Sequence, residues 1–251
     1  MAKSPNRAEQ AYVALKHAII DQVLQPGEKL PEDEVGALFS MSRTLVRQVF
    51  SRLNSDGLIK IGGKRPATVV TPSLDDAVAT FQVRRALEGE VVRLVAQRWK
   101  PEFKDALSQH VSKEAEAARA GEKTKSIRLA GEFHILLAGF SGNTILCRYV
   151  SEIVTRCSIV LAVFGRPHSA ECGVQEHTDI IQALASCDVA AAGVLMAHHI
   201  GEVESRALIS SQSTEQQSLA QKLQQYTGAE SSVAAESKSA KNGLRLVGSG
   251  T

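Results

Sequence analysis

The stretch Ser42-Arg43-Thr44-Leu45-Val46-Arg47-Gln48-Val49-Phe50-Ser51-Arg52-Leu53 constrains this chain more than any other, because it reads as a capped helix with two chemically opposed faces. The Ser42 hydroxyl can accept a backbone N–H of the first turn, while Val46, Val49, Phe50 and Leu53 recur at helical spacing on a side that must be buried. The other side carries Arg43 and Arg47 one turn apart, with Thr44, Gln48 and Ser51 alongside. Two guanidinium forks among neutral hydrogen-bonding groups suit phosphates and guanine edges. Solvated faces bearing two arginines are common, so the flanks decide the reading. Upstream, Ala8 to Gln25 has apolar residues at Ala11, Leu15, Ala18 and Ile19, and Gln25-Pro26-Gly27-Glu28 breaks it. Glu32 to Phe39 reads as a short second helix with Val35, Leu38 and Phe39 as its apolar side, ending at helix-turn-helix distance from the basic helix. Downstream, Asn54-Ser55-Asp56-Gly57 stops the helix; Leu58 to Ile61 and Thr68 to Val70 read as strands around a Gly62-Gly63-Lys64-Arg65-Pro66 turn. The outline is a winged helix-turn-helix.

With 251 residues, 43% of them hydrophobic, the chain can hold two cores. Thr71-Pro72-Ser73 is a hinge, and Ser73 with Asp76 opens a long helix as a capping box. From there the pattern predicts six helices, near 73–99, 101–119, 124–140, 143–165, 169–186 and 188–210, separated at Pro101, Gly121, Ser141-Gly142-Asn143, Gly165-Arg166-Pro167 and Cys187-Asp188. Short connections make them an antiparallel bundle. The expected organisation is a mainly α protein with a winged helix-turn-helix at 1–72, a six-helix domain at 73–210 and a tail at 211–251, where Ser, Gln, Ala, Gly and Lys replace large apolar residues and disorder is expected. Residues 1–72 carry ten Lys/Arg against seven Asp/Glu, and 73–210 carry fifteen against seventeen, which fits a basic head on a mildly acidic body. No run approaches the roughly 18 apolar residues of a membrane span, and the N-terminus lacks a signal-peptide core, so a cytoplasmic protein is expected. Cys147, Cys157, Cys172 and Cys187 are too far apart for a metal knuckle and are expected to be free thiols.

Chemistry in the bundle is signalled by histidines on three different helices. His134 shares a face with Ala130 and Leu137, His177 with Ile180, Ile181 and Leu184, and His199 with Leu195, Met196 and Val203, so each points inward. One inward histidine is commonly a hydrogen-bonded core residue. Three on one bundle are costly to converge unless a metal or an anion meets them. No carboxylate at helical spacing joins them: Glu132 lies about 200° round the helix from His134, and Glu176 about 100° from His177.

The head resembles the GntR family of transcription regulators, through Pro26-Gly27-Glu28-Lys29-Leu30, Ser42-Arg43-Thr44-Leu45-Val46-Arg47 and Leu53-Asn54-Ser55-Asp56-Gly57-Leu58-Ile59 in order. Leu45 stands where the family usually has proline, and Arg65-Pro66 where an Arg-Gly pair is common. The bundle is similar to the FCD ligand-binding domain of the FadR branch, in its VanR-like form, through Arg84-Arg85-Ala86-Leu87-Glu88, Phe133-His134, Gly142-Asn143, Glu176-His177 and Met196-Ala197-His198-His199-Ile200. The resemblance implies a homodimeric repressor whose heads read inverted half-sites of a double-stranded DNA operator through Ser42, Arg43, Thr44, Arg47 and Gln48, with Lys64 and Arg65 from the wing. It implies a divalent metal, zinc or nickel, on His134, His177 and His199, and a small carboxylate effector held by Arg84 and Asn143. The family's aspartate ligand falls at Ala130, leaving three neutral donors that can still hold zinc with open positions, or an acidic ligand directly. Two rival functions remain at this point: a three-histidine zinc enzyme, which lacks a visible general base, and an architectural DNA-binding dimer with no effector.

Overall fold

The computed structural model describes residues 7–63, 65–165 and 171–212. The first helix, α1 (Arg7–Ile20), buries Ala11, Tyr12, Leu15 and Ile19. It stops short of the expected Gln25 because Gln22 takes a positive φ of 57° and the amides of Val23 and Leu24 both return to the Ala18 carbonyl. Helix α2 (Glu32–Phe39) ends at Ser40, in the left-handed conformation, and α3 (Arg43–Ser55) starts at Ser42, whose hydroxyl accepts the Leu45 amide at 3.4 Å. Val46, Val49, Phe50 and Leu53 are buried, as their spacing requires. In α2 the expectation is corrected at Leu38, which is 76% exposed; Val35 and Gly36 make the contact with α3. Close packing explains the glycine: a Cβ at Gly36 would lie 3.1 Å from the Met41 carbonyl oxygen.

A three-stranded antiparallel sheet closes the head in the order β1 (Lys29–Leu30), β3 (Arg65–Val69), β2 (Ile59–Gly62). Strand β1, too short for any alternation, pairs Lys29 with Thr68. Arg65 and Pro66, expected in the turn, already belong to β3; Pro66 falls by the register irregularity between Lys60 and Gly62, where the ladder is interrupted.

The bundle consists of α4 (Leu74–Gln97), α5 (Pro101–Arg119), α6 (Lys123–Gly139), α7 (Thr144–Phe164), α8 (Glu171–Ala185) and α9 (Val189–Gln212). The Ser73–Asp76 capping box is present, and Pro101 occupies the first turn of α5, where a missing N–H costs nothing. One core unites the helices around Phe81, Val92, Leu107, Phe133, Leu137, Val150, Ile180, Met196 and Ile200. Helix α7 serves both cores, since Ile159 packs among the head's apolar residues. Among the described residues no helix is long and apolar enough to cross a membrane. Cys147, Cys157 and Cys187 are free thiols; Cys172 and the tail beyond 212 lie largely outside what is described, Cys172 only as backbone within α8.

Candidate functional site

The residues expected to contact nucleic acid lie on α3 and at the wing of the head. Arg43, Thr44 and Gln48 are exposed on one side of α3, and Arg65 is exposed at the start of β3. Ser42 is committed to capping, and Lys64 lies outside the described residues. The Arg47 side chain is 71% exposed, with its Nε bonded at 3.0 Å to each carboxylate oxygen of Glu32 on α2. That acidic partner was not foreseen, because only the α2–α3 crossing brings it within reach.

In the bundle, α6, α8 and α9 bring His134, His177 and His199 together, 2%, 0% and 3% exposed. One ligand nitrogen from each lies within 4.8 Å of the others. The expectation that no carboxylate accompanies them is overturned. Nδ1 of His134 meets Glu88 from α4, Nδ1 of His177 meets Glu114 from α5 at 2.9 Å, and Nδ1 of His199 meets Glu176 from α8 at 2.5 Å. Each carboxylate reaches across from a neighbouring helix, which a single-helix projection cannot show. Glu176 is turned from His177, as expected, but serves His199. Glu132 bonds Arg128 instead.

These pairs fix the chemistry of the other edge. Burial opposes ionisation of Glu88, but His134 and Arg84 outweigh it and bring its pKa to about 2. Burial pushes His134 down to about 4 despite Glu88, and burial beside the other two histidines holds His199 well below the usual imidazole range. A neutral imidazole that donates Nδ1–H to a carboxylate presents an Nε2 lone pair. Nε2 of His134 and His199 face each other at 3.2 Å, and Nε2 of His177 is buried without a partner among the described residues. Lone pairs so placed repel unless a cation or a proton lies between them. Two nitrogens on one tetrahedral zinc ion stand roughly 3.3 Å apart, the spacing of the His134–His199 pair, and the His177 nitrogen lies within 4.8 Å of both.

A cavity of about 80 Å³ adjoins the histidines, and Ala130, Val154, Leu161 and Val203 contribute to its wall. Arg84 lines it but is not free: its Nε donates to Glu88 at 2.6 Å and its Nη1 to Cys157 Sγ at 3.3 Å. Arg206 is on the same wall, 3.8 Å from Glu176. Asn143 is not brought to the site. Its side chain caps α7 by accepting the Leu146 amide at 3.0 Å, and it does not line the cavity.

Comparison with known proteins agrees with this layout. Residues 7–69 match the profile of bacterial regulatory proteins of the gntR family, and residues 79–202 that of the FCD domain. The chain is 29% identical over 177 residues to the uncharacterized HTH-type transcriptional regulator YdhC of Bacillus subtilis (strain 168), spanning 69% of this chain and 78% of YdhC. It is 26% identical over 196 residues to the HTH-type transcriptional repressor RspR of Escherichia coli (strain K12), spanning 78% and 86% respectively. The solved structure of E. coli McbR/YncC shares the fold, with a TM-score of 0.71, 21% identity and coverage of 79% of this chain and 95% of that one. With a gntR-type winged helix-turn-helix followed by an FCD domain, the chain belongs to the GntR family and is a transcriptional regulator rather than an enzyme.

Proposed function

We propose that the protein is a cytoplasmic, homodimeric repressor whose affinity for an operator of inverted half-sites is set by a small carboxylate bound in the helical domain. The effector would meet a divalent metal, zinc or nickel, held by His134, His177 and His199. The observation that supports this reading is the convergence of three imidazoles, each buttressed on Nδ1 by a glutamate, with Nε2 of His177 buried and unpartnered among the described residues. A bound metal supplies a Lewis-acid point to which an anionic ligand can attach. Ala130 leaves that position without a protein carboxylate, so the ligand's own carboxylate fits there, with Val154, Leu161 and Val203 around its apolar part. Arg84 then orients the site through Glu88 and contributes positive potential at the wall.

The test is metal content of the protein purified without an affinity tag, wild type beside His134→Ala, with thermal melts before and after a chelator. Near-stoichiometric metal in the wild type, its loss in the variant and a lower Tm on chelation are expected. A metal-free wild type whose melting ignores both chelator and added zinc or nickel would remove the metal from the proposal.

A further inference from the structure

We infer that Glu32 is a specificity-determining residue of the DNA-reading surface: by engaging the ε N–H of Arg47 it aims that arginine's terminal amino groups outward as a fork set for a guanine edge. The inference rests on the DNA-binding reading of the head and adds to it a residue outside the recognition helix.

Three features make the arrangement more than a chance surface contact. First, Glu32 occupies the opening position of α2, which Pro31 enters in extended conformation. The close α2–α3 packing at Gly36, with Val46 Cγ2 only 3.6 Å from an added Cβ, fixes that position relative to α3. Second, Arg47 gives a single N–H to both carboxylate oxygens, each at 3.0 Å, rather than meeting the carboxylate side-on with two nitrogens. Its Nη1 and Nη2 have no hydrogen-bond partner among the described residues, and the side chain is 71% exposed. Third, guanine offers O6 and N7 as adjacent acceptors in the major groove, and a planar pair of N–H groups matches them.

An exposed ion pair contributes little to stability, so its consequence lies elsewhere. Arginine is a rotamer-rich side chain, and holding it in one conformation beforehand removes part of what binding would otherwise cost. The carboxylate also works against indiscriminate binding. A negative group beside the groove repels phosphates unless Arg47 is engaged correctly, which lowers affinity for unrelated sequences more than for the operator. Glu32 therefore raises discrimination from both sides: it favours the correct base and penalises the wrong approach.

The experiment is selection from a randomised duplex pool by the full chain, in wild type, Arg47→Ala and Glu32→Gln, followed by titration of the enriched duplex and single-base-pair variants at two salt concentrations. Arg47→Ala is expected to lose preference at one base pair of each half-site. Glu32→Gln should weaken discrimination at that same base pair by roughly tenfold, with affinity for an unrelated duplex equal to wild type or higher. That retained binding also shows the variant to be folded. Full discrimination in Glu32→Gln, or a loss at a different base pair, would overturn the inference. So would a uniform loss in Arg47→Ala with a shallower salt dependence, since that places Arg47 on a phosphate. A wild type that enriches no duplex at all would instead take down the DNA-binding reading on which the inference stands.

Discussion

Glu88 joins two kinds of chemistry. One carboxylate oxygen receives Nε of Arg84 at 2.6 Å, and the other meets Nδ1 of His134, all three residues being almost wholly buried. Arg84 keeps the carboxylate charged, and the carboxylate keeps the His134 proton on Nδ1, so Nε2 is a lone-pair donor. Glu88→Gln retains the size of the side chain and removes that charge. Metal affinity should fall about 10- to 100-fold, read by competition with a chromophoric chelator. The same affinity in the variant would make Glu88 a packing residue only. At this scale the sequence was only partly legible. The three histidines stood out because each lay in an apolar register, but Glu88 lies in the buried stripe of Phe81, Arg84 and Val91, and Glu114 in that of Leu107 and Val111. A carboxylate within such a stripe is a signal that a buried partner exists, although naming the partner needs the helix packing. Asn143 illustrates the opposite error: a motif position taken for a ligand contact is a helix cap.

The recognition helix depends on α1 for its orientation. Tyr12 on α1 is buried, and its hydroxyl donates to Asp56, just past the end of α3, at 2.5 Å. The guanidinium of Arg52 lies 3.5 Å from the centroid of the Tyr12 ring and bonds Glu9 at 2.6 Å. Burial, and then the Asp56 bond, raise the Tyr12 pKa to about 12. A folded-state value above the unfolded one, about 10, means that this contribution is complete below pH 10 and is lost as pH rises towards 12. Tyr12→Phe should cost about 1–3 kcal/mol in urea unfolding near neutral pH, with a smaller fall in stability between pH 10 and 12 than in wild type. Equal losses in both proteins across that window would assign the alkaline transition to other groups. Elements of this length are where sequence reading works best, since the six bundle helices and α3 each repeat their apolar spacing several times. It fails where no repeat exists. The two residues of β1 carry no alternation, the end of α1 is set by a positive φ at Gln22, and the exposed Leu38 reflects how α2 is rotated against α3.

Across the whole molecule, α7 is an element that contacts both the cavity and the head. Val154, Cys157, Ser158 and Leu161 line the cavity, while Ile159 enters the head's core and Arg156 faces Gly57 at the turn that leaves α3. Gly57 has a φ of +73°, which favours glycine, and the Arg156 guanidinium lies close over it, its carbon 2.5 Å from where a Cβ would sit. A second link joins Asp21, after α1, to Arg128 on α6 at 3.3 Å. A ligand that favoured one position of α7 over another would therefore act on the turn that follows the recognition helix. Regulation of this kind requires a coupling of only about 1–3 kcal/mol. Arg156 is 44% exposed and its side chain is otherwise held by Glu152, so removing it leaves both cores intact. Arg156→Ala should bind metal and, without effector, operator as the wild type does. The effector's influence on operator affinity, measured as the ratio of Kd values with and without a saturating metal-binding carboxylate, should shrink by about fivefold or more in the variant. If that ratio is the same in both proteins, the contact between Arg156 and the Gly57 turn carries none of the coupling.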